Sequence, residues 1–416
     1  MAAQSGIMSP LGASCMRRPA APSPARKLGQ RRWMTQRSSS ASRQERMFCA
    51  LHTRRAYLAQ ALGLTLALAA AHPRLVAARS TDGSTDGSAD QVVLGGVEDP
   101  MTAPPVRLEH KGRIVAIGDL HGDLRKTLVA LKVAGVIEED DGRPVWCGGD
   151  TLVVQVGDIL DRGDNEVAIL SLLREIGRMA RQDGGDVIVL NGNHESLNVA
   201  GDFRYVTPGA FVESAIAAGL RGEEAYEWEH QLRARFALWS PGGALARELA
   251  KNPTVLIVND TVFAHGGLMP EHIDYGLDKI NLEVAQWMRA DPTGEDGGQA
   301  PPPFIAMGDA NSIMWSRLYS RERFASPYDK YRACMVLTNT LEKLNCSRMV
   351  VGHTPQMSGC NCECEGRIWR VDVGMSSGVL DARPEVLEIT QDEAGQSSVL
   401  VLSTSKPMVY SPESSM

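Results

Sequence analysis

The stretch Ile114-Val-Ala-Ile-Gly-Asp-Leu-His-Gly-Asp123 joins a short apolar run to a cluster of potential ligands. Ile114 to Ile117 reads as a buried strand, because a brief apolar run ended by glycine suits a sheet position covered on both faces. It runs out into a loop carrying Asp119, His121 and Asp123. The same grammar recurs. Leu152 to Val156 leads into Gly157-Asp-Ile-Leu-Asp-Arg-Gly163, and Val187 to Leu190 leads into Asn191-Gly-Asn-His-Glu195. Val255 to Val258 and Thr261 to Ala264 make an expected hairpin turning at Asn259-Asp260, whose second strand delivers His265-Gly-Gly267. Arg348 to Val351 delivers Gly352-His-Thr-Pro355. Strand ends that repeatedly present acid, imidazole and amide groups, with helical crossovers between them, predict an α/β fold with its site at the strand C-termini.

The 416 residues allow two or three domains, but the motifs are spread over one continuous body from about Val106 to Ser403. The formal charge of −7 hides an asymmetry. Residues 1–79 hold 13 Lys/Arg against the single Glu45, which leaves 30 basic and 49 acidic residues for the remainder. A body that acidic repels phosphate backbones, so nucleic acid is not an expected partner.

Residues 1–52 are rich in Arg, Ser, Ala and Pro, the composition of an organelle transit peptide. Arg54-Arg55, the 14-residue apolar run Leu58 to Ala71 and the small residues Val76-Ala-Ala78 then form a signal-peptide layout. The run falls short of the roughly 20 residues a bilayer span needs, so no stable membrane span is expected. Two signals in series predict a chloroplast protein, in the stroma or thylakoid lumen, with the mitochondrion as the alternative. The expected organisation is a presequence at 1–79, a polar Ser/Thr/Asp/Gly tether at 80–105, a catalytic domain at 106–405 and a tail at 406–416.

Leu124, Leu128, Leu131 and Val133 fall at helical spacing with Gly135 as a stop, and Glu166 to Arg181 is a second amphipathic helix facing inward with Val167, Leu170, Leu173 and Ile176. Three further helices, Phe211 to Ala218, Glu223 to Leu238 and Ala244 to Lys251, predict a helical insertion beside the site. It either shapes substrate access or is surface decoration. Ala290 to Pro303 is a loop by composition.

Asp119, His121 and Asp158 can take one divalent ion, and Asn193, His265 and His353 a second, with Asp158 bridging. Carboxylate, imidazole and amide donors without thiolate suit Mn, Fe or Zn. Two such ions would activate water and clamp the oxygens of a phosphoryl transfer. Arg162, four residues after Asp158, is placed to grip phosphate oxygens, and Arg317 is a second candidate. His194, beside Asn193, is the candidate general acid, with Asp161 to orient it. Asp123 reads as a helix cap or as a partner that orients a metal ligand, and Asp164 and Glu166 as a solvated helix start.

Gly118-Asp-Leu-His-Gly122, Gly157 to Gly163, Gly192-Asn-His-Glu195, His265-Gly-Gly267 and a late histidine resemble, in that order, the signature set of the phosphoprotein phosphatases among calcineurin-like metallophosphoesterases. Val351-Gly-His-Thr-Pro355 and Trp369-Arg-Val-Asp-Val-Gly-Met-Ser376 resemble its Shewanella-like branch. The resemblance spans about Arg113 to Met375. It implies a central β-sandwich flanked by helices, a dimetal centre, and dephosphorylation of phosphoprotein substrates by direct attack of a metal-bridging hydroxide. Carried over, the first metal falls on Asp119, His121 and Asp158, and the second on Asp158, Asn193, His265 and His353. His194 and Asp161 take the general-acid roles; Arg162 grips phosphate, with Asn193 and Arg317 as further substrate contacts. The segment around Arg317 departs from the eukaryotic pattern. Phosphoserine and phosphothreonine are the implied substrates, and phosphotyrosine stays open.

Two other functions share these motifs. A diadenosine-tetraphosphatase-like hydrolase would use the same metals, since the motifs read phosphate and not its carrier, and a phosphopeptide-binding scaffold would keep the metals without turnover. Beyond the presequence lie Cys147, Cys334, Cys346, Cys360, Cys362 and Cys364. The alternating spacing of the last three fits no common zinc pattern, and free thiols or structural bridges are expected.

Overall fold

In the computed structural model, residues 103–290, 300–392 and 397–404 are described. The expected presequence, the tether except its last three residues, the C-terminal tail and most of the Ala290 to Pro303 loop lie outside them.

The chain opens with β1 (Arg107–Leu108) and β2 (Ile114–Ile117), followed by α1 (Leu124–Val133). A hairpin of β3 (Ile137–Asp140) and β4 (Arg143–Trp146) leads to β5 (Leu152–Gln155). α2 (Glu166–Ala180) crosses to β6 (Asp186–Val189), and α3 (Asn193–Val199) starts four residues later. The insertion supplies α4 (Pro208–Ala217), α5 (Trp228–Trp239) and α6 (Ala244–Leu249). β7 (Val255–Val258) and β8 (Thr261–Ala264) pair antiparallel around Asn259-Asp260. Then come α7 (Pro270–Tyr275), α8 (Leu277–Arg289) and α9 (Pro327–Leu344). The last strands are β9 (Arg348–Val351), β10 (Asn361–Glu363), β11 (Ile368–Arg370), β12 (Glu385–Gln391) and β13 (Ser397–Ser403).

Apart from the β3-β4 pair, which is a two-stranded sheet of its own, these strands form two sheets, in the orders β13-β12-β2-β5-β6 and β1-β7-β8-β9-β11-β10. The ligand-bearing strand ends are therefore shared between sheets: β2, β5 and β6 run parallel in one, β8 and β9 parallel in the other. Alternation along the second sheet shows how they pack. Leu256, Val258, Phe263 and Val350 point into the same core as Val115, Ile117 and Val153 of the first sheet. Val255, Ile257, Val262, Ala264, Met349 and Val351 face a second core with Ile280, Leu337 and Leu341 from α8 and α9. A period of two with both faces apolar is what an inner sheet of a helix-flanked sandwich needs. The mixed α/β architecture expected from sequence is the one observed.

α1 begins at Asp123, whose carboxylate accepts the Lys126 N–H at 3.0 Å and the Ser377 N–H at 2.9 Å, so Asp123 is a helix cap that also fastens a distant loop. α2 buries Val167, Leu170, Leu173 and Ile176 as their spacing demands.

Two expectations are corrected here. Glu223 to Leu238 is not one helix: a 3₁₀ turn at Gly222–Tyr226 stops at extended Glu227 before α5. The Ala225 carbonyl accepts from the Gln231 side chain at 3.1 Å, which replaces the bond a continuous helix would have made. Glu166 is not a solvated helix start either. It is fully buried and ion-paired with Arg235 of the insertion, a partner 69 residues away that no local pattern announces.

Cys334 and Cys364 form a disulfide between α9 and the turn after β10, with Cα atoms 5.4 Å apart. Among the described residues, no helix is long and apolar enough to cross a membrane.

Candidate metal centre

Backbone contacts bring the first two loops together. The N–H groups of Leu120 and His121 both donate to the Asp158 carbonyl at 3.0 Å, and Gly122 donates to Ile159 at 2.7 Å. Gly118 is demanded by the approach of β11's continuation, since a Cβ there would lie 2.2 Å from the Val371 oxygen. His121, Asp158, Asp161, Arg162 and His353 all adopt left-handed backbone conformations, with φ of 43°, 59°, 69°, 65° and 72°. L residues hold such angles only where surrounding contacts impose them, and such positions gather at functional loops.

Asp158 is the hub. Its Oδ2 lies 3.2 Å from His265 Nε2, and 3.8 Å from both His121 Nε2 and His194 Nε2. Asn193 Oδ1 lies 3.0 Å from His265 Nε2 and 2.8 Å from His353 Nδ1. His121 Nδ1 is 2.9 Å from the Leu160 carbonyl, and His265 Nδ1 is 3.0 Å from that of Val156. Those carbonyls fix the ring orientations and leave each Nε2 turned to the centre. Two sets have donor atoms within 4.8 Å of one another: His121, Asp158 and His194, and Asp158, His265 and His353.

Electrostatics in this pocket call for cations. Burial, then the facing Asp372 and Asp158, hold Asp119 well above the usual carboxylate range. Burial lifts Asp372 to about 6. Burial opposes ionisation of Asp158 too, yet His265, His194 and His121 hold it well below that range. Three crowded buried carboxylates are what a divalent ion relieves. His353 Nε2 is buried without a hydrogen-bond partner among the described residues. Burial lowers His121 to about 4 and His353 to about 3, keeping both rings neutral, the form that ligates metal. The donor set thus fits divalent ions of the Mn, Fe or Zn class.

His194 has a different setting. Its Nδ1 lies 2.5 Å from Asp161 Oδ2, while Nε2 faces the centre. Burial works against its protonation, but Asp158 and Asp161 raise its pKa. Arg162 is exposed, its guanidinium carbon 5.0 Å from the Tyr205 ring centroid. The Arg162 charge acts on His121 and His194, whereas the exposed Arg317 acts on His353. The two arginines therefore flank different parts of one centre.

All the residues singled out in the sequence gather here, with one difference of grouping. His121 and Asp158 share their tight donor set with His194, while Asp119 Oδ2 stands 3.9 Å from His121 Nε2 and accepts the His353 N–H at 3.2 Å. Sequence reading missed Asp372, Glu195 and Tyr205. Asp372 had a signal, an acid two residues past β11 inside the quoted Trp369 to Ser376 stretch. Glu195 lay inside a quoted motif without a role. Tyr205, 5.1 Å from His194 between ring centroids, had none.

Residues 112–357 match the family model of calcineurin-like phosphoesterases. The chain is 42% identical over 315 residues to Shewanella-like protein phosphatase 2 of Arabidopsis thaliana, covering 69% of this chain and 77% of that one. Shewanella-like protein phosphatase 1 of Plasmodium berghei (strain Anka) is 29% identical over 272 residues, 65% of this chain and 68% of its own. The fold also matches a solved cold-active protein-tyrosine phosphatase of a psychrophilic Shewanella species, with TM-score 0.51, 24% identity, and coverage of 72% of this chain and 83% of that one. With its phosphoesterase region matched across most of the sandwich and a relative this similar over three quarters of its length, the chain belongs to the Shewanella-like protein phosphatases of the calcineurin-like phosphoesterase family, and is a phosphoric monoester hydrolase.

Proposed function

We propose that this chain is a two-metal protein phosphatase that hydrolyses phosphoserine and phosphothreonine esters, with phosphotyrosine the further residue class to test. The observation that carries this reading is the convergence of His121, His194 and His265 on Asp158 Oδ2 within 3.8 Å. Asp119, His121 and Asp158 would hold one divalent ion, and Asp158, Asn193, His265 and His353 the other. When bound, such ions supply an activated water and offset the phosphoryl charge.

The chain's own groups complete the chemistry. Arg162 and Arg317 bind the non-bridging phosphate oxygens, and the ring of Tyr205 limits where the Arg162 guanidinium can go. Asn193, whose Oδ1 lies 3.0 Å from His265 Nε2 and 2.8 Å from His353 Nδ1, would be both a donor to the second ion and a contact for the phosphate. His194 donates its Nε2 proton to the departing alkoxide, with Asp161 holding the ring charged and oriented through Nδ1. The presequence composition supports delivery to the chloroplast, with the mitochondrion as the other destination.

Phosphate release by the Mn-reconstituted protein tests the reading. Phosphoserine, phosphothreonine and phosphotyrosine peptides are compared with diadenosine tetraphosphate. Turnover of a peptide above the dinucleotide supports a protein phosphatase and assigns its residue class. Turnover of the dinucleotide alone overturns the protein substrate while keeping the metal chemistry, and a metal-loaded protein without turnover on any of them is a binding scaffold.

A further inference from the structure

Arg235 of α5 is fully buried in the helical insertion, far from the loops that carry the ligands in sequence. Its Nη1 lies 2.6 Å from Glu166 Oε2 and its Nη2 3.2 Å from Glu166 Oε1. Nη2 also donates to Asn198 Oδ1 at 2.6 Å, and Nη1 to Ser214 Oγ at 3.1 Å. The rings of Phe203, Phe211 and Trp239 close around the guanidinium, with centroids 5.3–5.5 Å away. A buried ion pair is a poor means of stabilising a core, because apolar residues of the same volume serve packing at least as well. The pair therefore calls for another account.

Two of these partners, Glu166 and Asn198, lead to Asp161. Glu166 Oε1 accepts the Asp161 backbone N–H at 2.6 Å. Asn198, its oxygen engaged by Arg235, can only turn its amide nitrogen the other way, where it donates to Asp161 Oδ1 at 3.1 Å and to the His194 carbonyl at 2.9 Å. A flipped amide would set oxygen against carboxylate and NH₂ against guanidinium, so Arg235 decides which way Asn198 faces. Asp161 itself has a left-handed backbone, φ 69°, which needs such outside support. With its N–H and Oδ1 both anchored, the carboxylate is held with Oδ2 turned to His194 Nδ1.

We infer that Arg235 is a positioning residue for the reaction: through Glu166 and Asn198 it fixes Asp161, and through Asp161 it aims His194 Nε2 at the leaving oxygen. The insertion is thereby part of the catalytic machinery and not only a cover beside it. The inference rests on the reading of His194 as the proton donor.

Leaving-group dependence separates aim from mere stability. A phosphoserine peptide releases an alkoxide that needs the proton, whereas p-nitrophenyl phosphate releases a stable phenolate that needs it far less. His194→Ala is the reference, with the peptide rate falling roughly 10²–10⁴-fold and the nitrophenyl rate much less. Arg235→Met/Glu166→Gln removes both charges together, so no unpaired ion is left in the core. We expect this variant, with parent-like metal per chain, to lose about 10-fold or more on the peptide relative to the nitrophenyl ester, a fraction of the full proton-donor effect. Asn198→Ala, which leaves the ion pair in place, should show the same bias. An equal loss on both substrates in either folded variant, or no loss, overturns the inference. Should His194→Ala itself show no bias, the proton-donor reading fails first and the role of Arg235 falls with it.

Discussion

Glu195 Oε2 accepts the backbone N–H of Asp158 at 2.8 Å. The same carboxylate accepts from Gly192 at 2.7 Å, Ile159 at 2.8 Å and Leu160 at 3.2 Å, so one buried side chain holds the turn that presents the hub of the centre. Glu195→Gln replaces one acceptor by a donor facing N–H groups. It should destabilise the protein by about 2–4 kcal/mol, since buried unsatisfied donors cost about 1–3 kcal/mol each, and weaken metal binding with it. Thermal unfolding and metal titration check this, and a parent-like melting temperature with parent-like affinity would sink it.

Asp158→Asn is expected to remove metal and activity together. The amide keeps the size of the side chain but gives up the charge that three histidines surround. Metal per chain by mass spectrometry, measured beside phosphate release, decides the matter. Full metal content in an inactive variant would separate the two roles and contradict the expectation.

His194→Ala should keep both metals and lower peptide turnover by roughly 10²–10⁴-fold, the usual contribution of a general acid. The measurement is informative because His194 also lies within donor distance of His121 and Asp158. Loss of one metal equivalent in this variant would make His194 a ligand, and Asp119 a carboxylate behind the centre.

Metal affinity should fall as pH is lowered from neutral. Asp119 and His265 have raised pKa values without metal, and Asp372, which faces Asp119, is raised to about 6. Each such group binds a proton as pH drops through its raised value, and a cation must displace it. Binding near pH 6 should therefore release protons. His121 and His353, lowered to about 4 and 3, stay neutral there and contribute none. Calorimetry of Mn binding in buffers of different ionisation enthalpy reports the number released, and zero protons at pH 6 would refute this account.

Gly352→Ala tests how closely the second sheet approaches the first motif. A Cβ at this position would lie 2.4 Å from Asp119 Oδ1 and 2.9 Å from a Val156 methyl. Displacing Asp119 should lower occupancy of the ion proposed for it, with a stability cost of about 1–3 kcal/mol from overpacking. Parent-like metal content would show that Asp119 is not needed in its present place.

Much of the site was legible because its donors follow strand ends, where a short, mainly apolar run stops at or close to a glycine and marks the boundary locally. β2, β5, β8 and β9 all read correctly on that signal, and the period of α2 marked its inner face. The break before α5 was not legible, because Gln231 competes for a carbonyl that helical periodicity assigns to the helix. Glu166 was misread for a similar reason: at a helix start an acid is ordinarily solvated, and only the position of Arg235 buries it.

What the sequence by itself determined is the set of candidate donors and the order in which strands present them, since residue type and strand period are local properties. Tertiary structure alone decided how those donors meet. The Asp119 carboxylate accepts from His353 across 234 residues, Arg235 reaches Glu166 across 69, and Cys334 bonds Cys364 across 30. Sheet order, not spacing along the chain, sets such contacts. The division of strands into two facing sheets is what turns a series of strand ends into one centre.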